Sequence, residues 1–518
     1  MMHMSKAPSW PGDGARTASD VCLIVEGCYP FVSGGVSSWL NWLMRSQGDL
    51  TFSVVAITAG PGPRHARYER PDNLIAFHEL NLSDPAVLAT HSPKVTDRQL
   101  ADCGRLADTL SRFIAGGGIA EYREALSAIR ALGPSSLAAL LNSPMAWQMV
   151  QRMYATLAPQ ASFLQFFWAW RSLVGGLFTV ATFPLPEAKA YHSISAGYAG
   201  LLSARAAIET GRPALLTEHG IYTNERRIDL MLARWLSDTI EKGYSIDDPR
   251  RDVRDVWIEA FSSFARCCYQ ASSHIIALFQ GNQPMQRALG ADRERMRVIP
   301  NGIDAASYAA IPRPGAAQRP TIALIGRVAP IKDVKTFISA IDRIRGALPE
   351  VHALIMGPTD EDPAYFDECR DLVSELGLDE HIEFTGSVRV ADYMPFIHLI
   401  VLTSLSEAQP LVLLEAGAAA IPCVTTDVGC CRELIEGGCN DEGPIGAGGI
   451  VTDVIAADQV AEAVLRLLTN DAEREAMGRA LRTRVSRSYT EKAARNAYSD
   501  LYAAVTAQQT ASIGEAVQ

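Results

Sequence analysis

The chain has no basic surplus. Its 518 residues carry 47 Lys and Arg against 58 Asp and Glu, a formal net charge of −11. Nucleic-acid binders draw affinity from Lys and Arg that neutralise phosphates, so this balance argues against such a role, although not against a local basic pocket. A secretory signal is missing too. The start, MMHMSKAPSWPGDGARTASD, has no apolar core and no cleavage pattern, and residues 1–19 read as a disordered leader. The ten cysteines include no C-x-x-C spacing, only the adjacent pairs Cys267-Cys268 and Cys430-Cys431. That pattern fits neither a disulfide framework nor a zinc site. Reduced, buried thiols in a cytoplasmic protein are the expectation.

No apolar run of membrane-spanning length is free of charge. Residues 162–183, SFLQFFWAWRSLVGGLFTVATF, come nearest, but Arg171 falls near their middle, where a charge is costly. Gln165 and the Gly175-Gly176 pair weaken the case further. The segment therefore predicts a buried or partner-facing aromatic helix, with peripheral docking onto a membrane complex left open. Repeats and low-complexity tracts are absent.

What is present is ordinary for a globular enzyme: 48% apolar and 20% charged residues. The length exceeds one ordinary core, so two domains are expected, with an insertion in one of them. Val21–Val25 is an apolar run broken at Glu26-Gly27, and Gly34-Gly35 leads into helical spacing from Ser37 to Met44. Strand, glycine loop and helix in this order open a doubly wound α/β domain. Phe52–Thr58 reads as a second buried strand. Strand signals then fade, and residues 84–183 read as a mostly helical insertion. Alternation resumes with strands ending at Ser193 and Thr217, then His274–Phe279 and Met296–Ile299.

A second α/β unit starts at Thr321–Ile325 and continues through Val351–Met356, Ile382–Phe384, Leu399–Leu402, Cys423–Thr425 and Gly449–Val451. The predicted architecture is α/β, two Rossmann-like domains facing a cleft, each with a largely parallel sheet covered by helices. The first domain takes residues 20–309 and the second 310–488, with a linker at 310–320. Residues 489–518 form a C-terminal helix, placed to cross back to the first domain, and a tail.

Ligands in such sheets collect at the C-terminal ends of strands. Gly34, Gly35, His192, Glu218-His219, Arg327, Lys332 and Glu407 all fall there. Gly326-Arg327 and Lys332 follow the first strand of the second unit. They are either two solvated loop cations or a clamp for a diphosphate, Arg as a fork and Lys as a point charge. Gly34-Gly35 is either a turn or a close approach of backbone to phosphate or sugar. His192 is either a structural histidine or a partner for a sugar hydroxyl or developing charge. Asn301-Gly302-Ile303-Asp304 is a turn signal. Glu407 precedes a helix opened by Pro410 and Leu411, whose exposed N–H groups suit a phosphate. Glu415 is an acid in an apolar stretch, so it is paired or binds something. Two acids on one loop and helix suit hydroxyls of one ligand better than a hydrolase pair, which flanks the scissile bond.

Together these residues resemble a family. Glu407 and Glu415 match the E-x7-E element of retaining nucleotide-sugar glycosyltransferases of family 4 and GT-B fold, and Gly326-Arg327, Lys332, the Asn301–Asp304 turn and Gly429 before Glu433 occur in the matching order. At closer range, Glu26-Gly27-x-Tyr29-Pro30-x-Val32-x-Gly34-Gly35-Val36-Ser37-Ser38-Trp39 resembles the cytoplasmic glycosyltransferases of Pel exopolysaccharide biosynthesis. So do His192-Ser193-Ile194-Ser195-x-Gly197-Tyr198, Thr217-Glu218-His219-Gly220 and Ser406-Glu407-x-Gln409-Pro410-Leu411, with Ala408 where a glycine is usual.

The resemblance implies a retaining, UDP-sugar-dependent hexosyltransferase that polymerises an exopolysaccharide beside inner-membrane export proteins. It implies Arg327 and Lys332 on the donor diphosphate, Glu415 on the ribose and Glu407 on the donor sugar. Gly34-Gly35 would approach the sugar-phosphate, and His192 would lie near the reacting end. Cations around the leaving UDP take the place of a metal, so neither cofactor nor divalent ion is expected. A nucleotide-sugar epimerase on the same fold and a UDP-binding regulatory subunit of an export machine are the alternatives.

Overall fold

The computed structural model describes residues 18–32, 34–60, 64–83, 94–132, 137–232, 251–315, 318–438 and 443–515. The expected leader lies almost wholly outside them, and Ser19 already begins a strand. Two units result. One takes the chain to Ala277, then Asn282–Val298 and the residues from Tyr498 on; the other takes Leu278–Gly281 and Ile299–Ala497.

The first unit is built on β1 (Ser19–Glu26), β2 (Phe52–Thr58), β3 (Leu74–Asn81), β4 (Ala188–Ser193), β5 (Ala214–Glu218), β6 (Ser272–Ala277) and β7 (Met296–Val298). They form one parallel sheet in the order β3-β2-β1-β4-β5-β6-β7. A parallel strand covered on both faces has no polar side, so it reads as a continuous apolar run. All seven residues of β2 are buried for that reason. The sequence did not predict β3, an edge strand with a single neighbour whose run is interrupted by His78 and Glu79.

Between β3 and β4 lie five helices among the described residues: Asp97–Ile114, Ile119–Ala131, Leu137–Asn142, Pro144–Leu157 and Phe163–Thr182. Their starts are written in the sequence. Thr96 and Gln99 form a capping box, and Ser143 caps the helix that Pro144 opens. Phe163–Thr182 buries Leu173, Val174, Leu177, Phe178 and Val180 and leaves Leu164 and Trp168 exposed, while the exposed Trp147 of the preceding helix packs against its Phe163 and Phe167. Arg171 donates to the Leu141 carbonyl at 3.1 Å and to Asn142 Oδ1 at 2.7 Å, so a charge inside an apolar helix is satisfied within the protein. Among the described residues no helix is long and apolar enough to cross a membrane.

The second unit carries β8 (Thr321–Ile325), β9 (His352–Met356), β10 (Ile382–Gly386), β11 (Leu399–Leu402), β12 (Cys423–Thr426) and β13 (Gly449–Thr452). These are parallel in the order β10-β9-β8-β11-β12-β13. The expected linker at 310–320 falls inside this unit, which starts at Ile299. The reason is local: the Ile303 N–H donates to the Tyr489 carbonyl, and Leu278, Phe279 and Ile303 join the core under β11. Helix Glu491–Glu515 starts in this unit, and its Tyr498 and Tyr502 belong to the first. The nine cysteines among the described residues are all unbridged, and eight are buried.

Candidate functional site

In each sheet, strand order reverses at one place, and the crevice beyond the strand ends there is where doubly wound folds hold ligands. In the second unit that place lies between β8 and β11. The loop after β8 carries Gly326, Arg327 and Lys332; the loop after β11 carries Ser404 to Pro410. Backbone stitches them together. The Leu405 N–H donates to the Ile331 carbonyl at 2.9 Å, and Thr403 Oγ1 donates to the carbonyls of Lys332 at 3.0 Å and Asp333 at 2.9 Å.

Two residues singled out separately in the sequence meet here. Lys332 Nζ forms an ion pair with Glu407 Oε1, which also accepts from Ser404 Oγ at 2.7 Å. Their side chains are 19% and 13% exposed, so the pair is largely withdrawn from water. Arg327 is exposed and paired elsewhere, its Nη1 donating to both carboxylate oxygens of Glu361 at 2.6 and 2.5 Å. Gly326 is fixed by its N–H to the Met356 carbonyl and lies against the Lys332 stem. A Cβ on the neighbouring Gly357 would fall 2.0 Å from the Gly326 carbonyl oxygen, so only glycine lets β9 exit this close to the cation loop.

Pro410 is the N-cap of helix Leu411–Ala418 and not its first turn: its ψ of 115° is extended, and Leu411 is the first helical residue. No side chain caps this helix; the Leu413 N–H is taken by the Pro410 carbonyl at 3.1 Å. Glu415, one turn in, has its carboxyl pushed up by burial and held down in part by the Tyr308 hydroxyl. Tyr308 went unnoticed in the sequence. It stands on helix Ala305–Ala309, which Asp304 of the expected turn caps through the Ala306 N–H.

A further pair of groups lacks partners. Asn301 and Gln409 are buried and joined by a bond from the Asn301 N–H to Gln409 Oε1 at 2.6 Å. Yet Gln409 Nε2 and Asn301 Oδ1 have none. A buried polar atom left unpaired costs about 1–3 kcal/mol, which is why proteins rarely keep one without use.

In the first unit the reversal lies between β1 and β4. Gly34 and Gly35 follow β1 at the start of helix Gly35–Ser46; both are exposed, and a Cβ at either would meet nothing within 4 Å. The Gly34 N–H is bonded to the Tyr68 hydroxyl at 3.3 Å. His192 does not fit the expected ligand role. It is fully buried, with Nδ1 2.8 Å from the Tyr502 hydroxyl and Nε2 2.9 Å from Thr217 Oγ1. Burial also drives its pKa down to about 3, so the ring is neutral and both nitrogens are used inside the protein. Residue type and strand position suggested a ligand group; the side chain points into the core.

The same sheet edge holds an acid that the sequence marked only by position. Glu218 is buried, accepting from the Tyr222 N–H at 3.0 Å, the Tyr269 hydroxyl at 2.8 Å and Gln286 Nε2 at 2.9 Å. Burial raises its pKa to about 7 against those bonds. The Tyr222 hydroxyl donates in turn to Glu26 at 2.7 Å. Among the described residues, no cluster of His, Cys, Asp and Glu is arranged to hold a metal ion.

Comparison with known proteins places these observations. D-inositol 3-phosphate glycosyltransferase of Kineococcus radiotolerans is 29% identical over 211 residues, 36% of this chain and 47% of that protein. GDP-mannose-dependent alpha-(1-6)-phosphatidylinositol monomannoside mannosyltransferase of Mycobacterium tuberculosis is 28% identical over 202 residues, 37% of this chain and 48% of that protein. The chain thus spans about half the length of the curated relatives it matches. Among solved structures, sucrose-phosphate synthase of Thermosynechococcus elongatus aligns with a TM-score of 0.56 at 15% identity, covering 94% of this chain and 99% of its own. HepE of Anabaena, in complex with UDP-glucose, aligns at 0.53 and 13%, covering 96% and 100%. At such identities the likeness is one of fold, and that fold is GT-B. Residues 19–294, more than half of the chain, match the family described as Domain of unknown function (DUF3492), and residues 319–470 match glycosyl transferases group 1; the chain belongs to the DUF3492 family and joins that domain to a group 1 glycosyltransferase domain.

Proposed function

We propose that the chain transfers a hexose from a UDP-sugar, with retention and without a divalent ion, to extend an exopolysaccharide of the Pel kind at the cytoplasmic face of an inner-membrane export complex. One observation carries the reading. At the strand-order reversal of the group 1 domain, Lys332 is paired with Glu407 directly ahead of a helix start that no side chain caps. A leaving diphosphate is stabilised by cations and oriented N–H groups, and both are present in one place. Arg327 adds a second cation on the same loop.

In this reading Glu415, with Tyr308, holds the ribose hydroxyls, and Glu407 exchanges part of its pairing with Lys332 for a hydroxyl of the donor sugar. Retention without a protein nucleophile proceeds by attack on the face the diphosphate leaves, the departing phosphate taking the acceptor proton. Exposed Gly34-Gly35 in the first unit offers backbone for close approach to sugar or phosphate. His192 acts through the packing of Thr217 and Tyr502 and does not touch substrate.

The test is release of free nucleotide from UDP-glucose, UDP-N-acetylglucosamine and GDP-mannose with a glycan acceptor. UDP release that disappears in Glu407→Ala supports transfer. Conversion of the donor to an epimer without UDP release points to an epimerase, and UDP binding without turnover of any donor in the unaltered chain points to a regulatory subunit.

A further inference from the structure

The contact between Asn301 and Gln409 holds two amide atoms whose partners the chain does not supply. Asn301 is 5% exposed and Gln409 6%. A backbone N–H can only donate, so the bond from the Asn301 N–H fixes Oε1 of Gln409 as the acceptor and Nε2 as the remaining donor. Nε2 and Asn301 Oδ1 are both buried and unpartnered, on two residues already linked through the Asn301 backbone N–H. Bulk water does not reach either atom. Gln409 sits two residues after Glu407 and directly before Pro410, the N-cap of the uncapped helix.

We propose that Gln409 and Asn301 read one substituent of the transferred sugar, Nε2 donating to it and Oδ1 accepting from it. The assignment rests on the nucleotide-sugar reading of the site. The chemistry of the pair decides which part of the donor it faces. A diphosphate oxygen accepts but has no proton to give, so it leaves Oδ1 unpaired. A sugar hydroxyl does both. So does an acetamido group, its C=O toward Nε2 and its N–H toward Oδ1. Ribose hydroxyls and uracil offer both as well, but Gln409 lies two residues from Glu407, the residue placed on the donor sugar, so the pair is assigned to the sugar while the cations and the helix end take the diphosphate. A site built to bond such a group discriminates strongly against a ligand lacking it, because its own buried atoms are then left unpaired.

The test uses the full chain and calorimetry with UDP, UDP-glucose and UDP-N-acetylglucosamine. Gln409→Glu keeps an oxygen for the Asn301 N–H and removes only the donor; Gln409→Met, which is uncharged, controls for the added charge. Thermal melts establish that each variant is folded. The expected result is a nucleotide sugar weakened by about tenfold relative to UDP in both variants. Loss with both sugars identifies a shared hydroxyl, and loss with UDP-N-acetylglucosamine alone identifies the acetamido group. Nucleotide sugars weakened no more than UDP overturn the proposal and leave the pair bridged by an internal water. Absence of UDP binding in the unaltered chain overturns the nucleotide-sugar reading itself, and this assignment with it.

Discussion

Replacing Glu407 by glutamine should tighten UDP binding while abolishing sugar transfer. Lys332 and Glu407 keep only 19% and 13% of their side-chain exposure, so their charges are felt more strongly than those of a surface pair. Surface pairs contribute about 0–1 kcal/mol, whereas breaking a fully buried pair costs about 3–5 kcal/mol. The carboxylate also stands beside the place proposed for a diphosphate. At a separation of roughly 7 Å and an effective dielectric of about 20, two like unit charges repel by about 2–3 kcal/mol. Screening by physiological salt removes roughly half of that. Glu407→Gln relieves the repulsion and releases the Lys332 ammonium, which tightens UDP by about tenfold. Lys332→Met should weaken it by a similar factor. The double variant should return to within about threefold of the starting affinity, because attraction and repulsion are lost together. Calorimetry at two ionic strengths reads all three, and UDP release reads transfer. Unchanged or weaker UDP binding in Glu407→Gln refutes the reasoning, since Glu407 would then not oppose a diphosphate at Lys332.

Gly429 has φ of +56°, and a Cβ there would lie 2.2 Å from the Glu407 carbonyl oxygen and 2.5 Å from that of Ala408. Gly429→Ala should therefore displace the Glu407 loop and lower turnover by about a hundredfold, with hydrogen exchange altered at residues 404–410 and not in the first unit; full activity contradicts the placement. Glu218 supplies a pH signature. Its folded pKa of about 7 exceeds the ordinary 4.5, so its contribution is full below 4.5 and is lost as pH rises to 7. His192 has the opposite sign: its pKa is lowered from 6.5 to about 3, so its contribution is present above 6.5 and lost as pH falls toward 3. Glu218→Gln should remove the decline of first-unit stability between pH 4.5 and 7, followed by hydrogen exchange, and leave the acid limb in place. A decline that persists in the variant rules out Glu218 as its source.

Much of the fold was legible because buried parallel strands announce themselves. Phe52–Thr58, Thr321–Ile325 and Leu399–Leu402 were predicted to the residue, as uniform apolar runs ending at breakers. β3 was missed because an edge strand tolerates the His78 and Glu79 that hide it. At the site, Lys332 and Glu407 were each legible as chemistry, but their pairing was not: they are 75 positions apart, and only the adjacency of β8 and β11 joins them. The case of His192 runs the other way. In a strand buried on both faces, alternation no longer tells core from crevice, and its partner Tyr502 lies 310 positions away on the C-terminal helix. Gln409 stood inside a recognised motif, yet its free amide is set by the Asn301 backbone, 108 positions off.

The most direct measurement is calorimetry of the full chain against UDP, GDP and ADP, with Arg327→Ala and Lys332→Ala alongside. UDP should bind in preference to the other two, and each substitution should weaken it by about tenfold or more, as loss of a charged hydrogen-bonding partner does. UDP affinity unchanged in both variants would contradict the claim that the loop after β8, with the helix start behind Glu407, holds the diphosphate of a nucleotide sugar.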